Sequence, residues 1–173
     1  MARKATATEQ DRVEVARLVL EGLAFNEPPG DVLKQLRPLE DYSFPFPGDV
    51  LTELGAAALA VAGTSPTTPL SLSDATDRHL PEWTVSGNTA RQKHRAAIQA
   101  AVALHAGIVV DYDEVAGWWR LQDYTLHAFE AAVVLIRVAA EHTRQPARSI
   151  CEEIAARPGV ALDDRSVQDN YLP

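Results

Sequence analysis

The stretch "HAFEAAVVLIRVAAE", residues 127–141, decides the fold class. Its polar residues His127, Glu130, Arg137 and Glu141 fall at i, i+3, i+10 and i+14, one stripe of a helix with Val134 at the missing step. Everything else there is Ala, Val, Leu, Ile or Phe, so the helix needs cover on most of its surface and belongs at or near the centre of a packed domain. It does not suit a membrane: the nearly apolar run 128–140 is too short to span a bilayer and contains Glu130 and Arg137. The pattern extends the helix from about Asp123 to Thr143. Leu135 and Ile136 occupy its most apolar part, and at least one of them is expected to be fully buried.

Working outward, the neighbouring segments also read as helices. A last one begins at Pro146, turns Ile150 and Ile154 inward and ends by Pro158. Upstream, Thr89 and Gln92 have capping-box spacing, and Gly107 is an αL terminator with Ile108 placed to pack back. Between them "AAIQAAVAL" offers small residues that let another helix come close. "GIVVDY", 107–112, has strand-like composition, but no second strand is present to pair with it. It therefore reads as a buried linker, with Asp111 and Glu114 starting a short helix.

Near the start, Thr8 caps a helix with Val13, Ala16, Leu20 and Leu23 on its apolar side and Gln10, Glu14, Arg17 and Glu21 opposite. "PGDVLKQL", 29–36, is then echoed eighteen residues later by "PGDVLTEL", 47–54. Pro38, Pro45 and Pro47 lie between the copies, so no continuous helix joins them. In each copy Pro suits a first helical turn and the following Asp suits its positive end. The repeat is thus a helix start used twice, the first copy stopping at Pro38 and the second running to Gly63. Five or six helices and no sheet make an all-α class. A single domain spans 1–158, with a Ser/Thr/Pro-rich loop at 64–87 and a polar tail at 159–173. Trp83 suggests that part of the loop docks on the core, and "WW" at 118–119 reads as a packing corner.

The 173-residue length suits one domain. The net charge of -8 disfavours nonspecific binding to nucleic acid or an anionic membrane. The basic residues are 13 Arg and 3 Lys in an Ala-rich chain, a bias of base composition rather than a sign of phosphate chemistry. No apolar run follows the basic start of "MARKATATEQ", so no secretion signal is expected and a cytoplasmic location is. Cys151 is the single cysteine, which excludes an internal disulfide and a cysteine metal site. It reads as a half-buried spacer, its neighbouring carboxylates disfavouring the thiolate.

Two groups of side chains stand out as candidate binding residues. Arg91, Lys93, His94 and Arg95 crowd a first helical turn, where the backbone already carries positive partial charge. They call for an acidic neighbour, either an internal carboxylate or an anionic partner. On the central helix, His127, Glu130 and Arg137 read as a solvent edge with local pairs, or alternatively as a groove. His94 and His105 share a face, and His127 and Glu130 reverse the Glu-x-x-His spacing of carboxylate-bridged di-iron bundles. The further inward Glu residues such bundles need are not placed, so neither metal nor cofactor is expected.

Phosphate loops and serine-hydrolase or zinc-protease motifs are missing. "RVAAEH" sets Arg137 and His142, and "RLQDYTLH" sets Arg120 and His127, at a spacing that resembles the helical HEPN ribonucleases. That resemblance implies a metal-independent ribonuclease using Arg137 and His142. Val138 stands where that family usually places a polar residue, and about one such match is expected by chance in this composition. The primary expectation is therefore a non-catalytic protein acting through binding. Its expected contacts are an anionic partner at 91–95 and a second copy through the small-residue face Ala96–Ala103.

Overall fold

A computed structural model describes residues 4–63, 79, 87–117 and 122–156. Among them are seven α-helices, one 3-10 helix and no strand, so the chain is all-α. The helices are α1 (Glu9–Ala24), α2 (Pro29–Leu36), α3 (Gly48–Val61), α4 (Asn88–His105), α5 (Tyr112–Ala116), α6 (Gln122–Thr143) and α7 (Ala147–Ala155). Seven exceed the five or six expected because the short turns of helix form separate elements. The 64–87 loop (apart from residues 79 and 87), the tail, Trp83, Trp118, Trp119 and Arg120 lie outside the described residues.

The start of α1 is a complete capping box: the Asp11 backbone N–H donates to the Thr8 hydroxyl, and the Asp11 carboxylate accepts from the Thr8 backbone N–H. The Thr8 backbone N–H first, and then the Thr8 hydroxyl, which also donates to this carboxylate, hold the Asp11 carboxyl below the usual carboxylate range. The buried face comprises Val15, Ala16, Val19 and Leu20, with Val13 only half-buried, so it is turned slightly from the expected one. The twin segments do start helices, but differently. Pro29 is the first residue of α2, whereas Pro47 precedes α3 as its N-cap. Pro38 does not stop the chain's winding, which continues as a 3-10 helix over Arg37–Asp41 because proline is tolerated in a first turn.

The centre is α6 packed against α3, with α4 against both; α7 closes the far side, in contact with α1, α3 and α6. Leu135 and Ile136 are both fully buried, as expected. Close approach is built into α3 by two glycines. A Cβ on Gly48 would lie 2.3 Å from the Tyr124 ring, and one on Gly55 would lie 3.0 Å from Leu135 and 3.1 Å from Ala101. The small residues of α4 perform the same service from the other side: Ala97 and Ile98 pack with Ala131, Val134 and Val138 of α6. Ala97, Ala100 and Ala101 are thus buried within the chain.

Three local expectations are corrected. No side chain caps α4: it begins at Asn88 after Gly87, without the Thr89–Gln92 box. Gly107 ends it in the left-handed region (φ 80), and the Ile108 N–H bonds back to the Ala103 carbonyl, but the Ile108 side chain does not pack back. "GIVVDY" is no strand and no buried linker: Ile108 is 58% exposed and Val109 92%. Asp111 then caps α5, accepting from the Glu114 N–H.

Candidate functional site

The seam between α4 and α6 contains the one place where candidate residues from both groups converge. His94 and Ile98 are one turn apart on α4, so the apolar packing that buries Ile98 carries His94 inward too. On α6, His127 and Glu130 are likewise one turn apart and face the same seam. The Glu130 carboxylate lies between the two imidazoles, Oε1 3.4 Å from His127 Nδ1 and Oε2 3.7 Å from His94 Nδ1. These separations are longer than good hydrogen bonds, and Glu130 Oε2 accepts no hydrogen bond among the described residues. All three residues are sealed, Glu130 at 1%, His94 at 3% and His127 at 5% exposure. His127 and Glu130 are therefore no solvent edge. Among the described residues no group of three His, Cys, Asp or Glu side chains is arranged to hold a metal ion.

The remainder of the α6 stripe does not join this cluster. Arg137 is half-buried and its Nη1 donates to the His79 carbonyl at 3.1 Å, while the His79 ring pairs with the exposed Glu141. His142 is exposed in the last turn of α6. Five positions along a helix set two side chains roughly 140° apart about its axis. Arg137 and His142 thus leave α6 in different directions.

The basic cluster divides as well. His94 turns inward, Lys93 is half-buried and engaged, and Arg91 and Arg95 are exposed. Neither Arg91 nor Arg95 takes part in an ion pair among the described residues. The first turn of α4 contains no acidic residue, and the N-cap Gly87 offers no side-chain acceptor. Among the described residues no internal carboxylate pairs with these two guanidiniums.

A second buried polar group escaped the sequence reading. The Thr52 hydroxyl donates to the Gly48 carbonyl at 2.9 Å and accepts from the Tyr124 hydroxyl at 2.7 Å. Burial pushes the Tyr112 and Tyr124 hydroxyls well above the usual phenol range, so both stay protonated. Nearby, Arg12 bridges Asp49 at 2.6 Å and Glu53 at 2.9 Å, tying α1 to α3. Residues this far apart in sequence gave no periodic signal. Both sets join helices. Cys151 is fully buried, not half-buried, and burial first, with Glu152 second, pushes its thiol up to about 12. It is inert as a nucleophile.

Among the described residues no helix is long and apolar enough to cross a membrane. No protein-family model, curated protein or solved structure matches the chain.

Proposed function

We propose that this protein acts by binding rather than by turnover, as a cytoplasmic regulatory or interaction module whose first α4 turn takes an acidic segment of a protein partner. The observation that carries this reading is the pair Arg91 and Arg95: both are exposed, and neither is in an ion pair among the described residues. Arg91, in the first turn, is disfavoured there by a few tenths of a kcal/mol, up to about 1, and Arg95 stands one turn further on, where that penalty has faded. A chain of net charge -8 has carboxylates to spare, yet none pairs with these two among the described residues. A carboxylate-bearing partner relieves that repulsion and gains directed donors from the free N–H groups of the first turn. The net negative charge also favours an acidic peptide over nucleic acid, whose dense charge the rest of the surface would repel.

Two other readings have less support. Oligomerisation through Ala96–Ala103 competes with the chain's own packing, since Ala97, Ala100 and Ala101 are already buried. A ribonuclease using Arg137 and His142 needs the two to converge, whereas Arg137 is engaged with His79 and His142 points elsewhere.

The test is fluorescence anisotropy with a labelled oligoglutamate peptide at increasing salt. Binding is expected to weaken by about tenfold or more between low and physiological salt, as exposed charges are screened. Replacing exposed Lys34, already paired with Asp31, should leave binding unchanged. Binding indifferent to salt, or equally sensitive to Lys34→Ala and to R91A/R95A, would contradict the proposal.

A further inference from the structure

We infer that the acidic partner of Arg91 and Arg95 is a second copy of this chain, met at its α4–α5 corner, residues 107–114. The inference rests on the binding function proposed above, since it names the partner of that same site. Among the described residues the exposed large hydrophobics are Phe25 at 40%, Ile108 at 58% and Val109 at 92%. Phe25 is the least exposed of them and is already engaged by its surroundings. Ile108 and Val109 follow the left-handed turn at Gly107 (φ 80), which is fixed by the bond from the Ile108 N–H to the Ala103 carbonyl. Directly after them stand Asp111, Asp113 and Glu114, all exposed. Asp111 caps α5, and Glu114 takes part in no ion pair among the described residues. The corner thus sets an aliphatic ledge beside negative charge, both open to water. An arginine side chain matches the two parts together: its carbon stem covers aliphatic surface while its guanidinium reaches a carboxylate.

The layout of α4 decides how two copies meet. Its first turns carry Arg91 and Arg95, and its last turn leads at once into the corner. From Arg91 to Ala106 is about 22 Å along a helix axis. Laying α4 of one copy antiparallel to α4 of the other brings each cationic end to the other's corner, so one interface satisfies both ends. A head-to-tail contact would satisfy one end at a time and leave an open chain. Between the ends, α4 presents Gln92, Arg95, Gln99 and Ala106 to solvent. Gln99 lies midway between Gln92 and Ala106, so the two-fold axis passes beside it, where its amide both donates to and accepts from its own counterpart. The contact uses none of Ala97, Ala100 and Ala101, which are buried within the chain. Two chains of net charge -8 repel at long range, so the association is weak, with a Kd on the order of tens of micromolar.

Sedimentation equilibrium of the full chain, at concentrations up to about 500 μM, tests the contact directly. The mass should double and rise no further. Ile108→Ser with Val109→Ser should weaken association by about tenfold or more with helix content intact, because both side chains are exposed in the single chain. Arg91→Glu should weaken it likewise, and adding Glu114→Arg to that variant should restore it. A short bismaleimide should join Gln99→Cys to its own counterpart, the fully buried Cys151 being out of its reach. A single chain at every concentration, an equally strong pair in the Ile108 and Val109 variant, or growth past two copies would each overturn the inference. A single chain that still binds oligoglutamate through Arg91 and Arg95 would overturn the second copy as partner and leave the proposed function standing. A single chain that binds no oligoglutamate would overturn both.

Discussion

Glu130 on α6 and His94 on α4 face each other across the central seam, Oε2 3.7 Å from Nδ1, with only 1% and 3% of their surfaces exposed. This contact joins a buried polar group to the helical turn that carries Arg91 and Arg95 outward. One turn of α4 therefore has two sides with different duties. Its inner side holds the helix in place, and its outer side offers charge.

The core around this seam has definite energetic consequences. Leu135 is fully buried, touching the closest approach of α3. Leu135→Ala should destabilise by about 2–5 kcal/mol in urea unfolding. A loss under about 1 kcal/mol would mean that α6 is not the central helix.

Gly48 tests packing in the opposite sense. A methyl group there meets the Tyr124 ring at 2.3 Å, and that ring is fixed by its bond to Thr52 and by edge contacts with Phe44 and Tyr112. Gly48→Ala should therefore cost about 1–3 kcal/mol despite the better helix propensity of alanine. Thermal melting that shows a stabilised variant would contradict the packing of α3 on α6.

Arg12 joins Asp49 and Glu53, and burial chiefly raises the Glu53 carboxyl even with Arg12 present. A raised carboxyl binds its proton more tightly when folded, so this contribution stabilises the protein in acid and is lost as pH rises through the folded value. Arg12→Ala leaves two carboxylates without their cation and should destabilise by about 1–3 kcal/mol at neutral pH, a partly exposed pair being worth less than a sealed one. The penalty should shrink in acid, where the raised Glu53 carboxyl takes up its proton. A penalty independent of pH would show that Arg12 acts by packing alone.

The ribonuclease resemblance makes its own demand. Purified protein should cleave RNA no faster than R137A/H142A. Cleavage that the double variant loses with its helix content intact would replace the binding account by a catalytic one.

How far the sequence was legible follows from the range of each interaction. α6 was readable almost to the residue because fifteen consecutive positions carry one period, and the start of α1 was readable because a cap is local. The inward turn of His94 was partly legible from its spacing to Ile98. That Glu130 lies between His94 and His127 was not, because no local rule fixes which face of α6 meets α4 when most of its surface is apolar. The same holds for Arg12 with Asp49 and for Tyr124 with Thr52, which only tertiary packing brings together. Ile108 and Val109 misled for a different reason: composition argues for burial, but the Gly107 turn points them outward.

The central claim is that Arg91 and Arg95 serve a partner rather than the fold. Its most direct test is to measure thermal stability and oligoglutamate affinity together on R91A/R95A at pH 7.5. The predicted result is an unchanged or slightly raised Tm, since one cation leaves the positive helix end and the other an exposed position, with affinity lowered by about tenfold or more. A Tm lowered by several degrees with affinity unchanged would contradict it, and would return both residues to the internal charge balance of the chain.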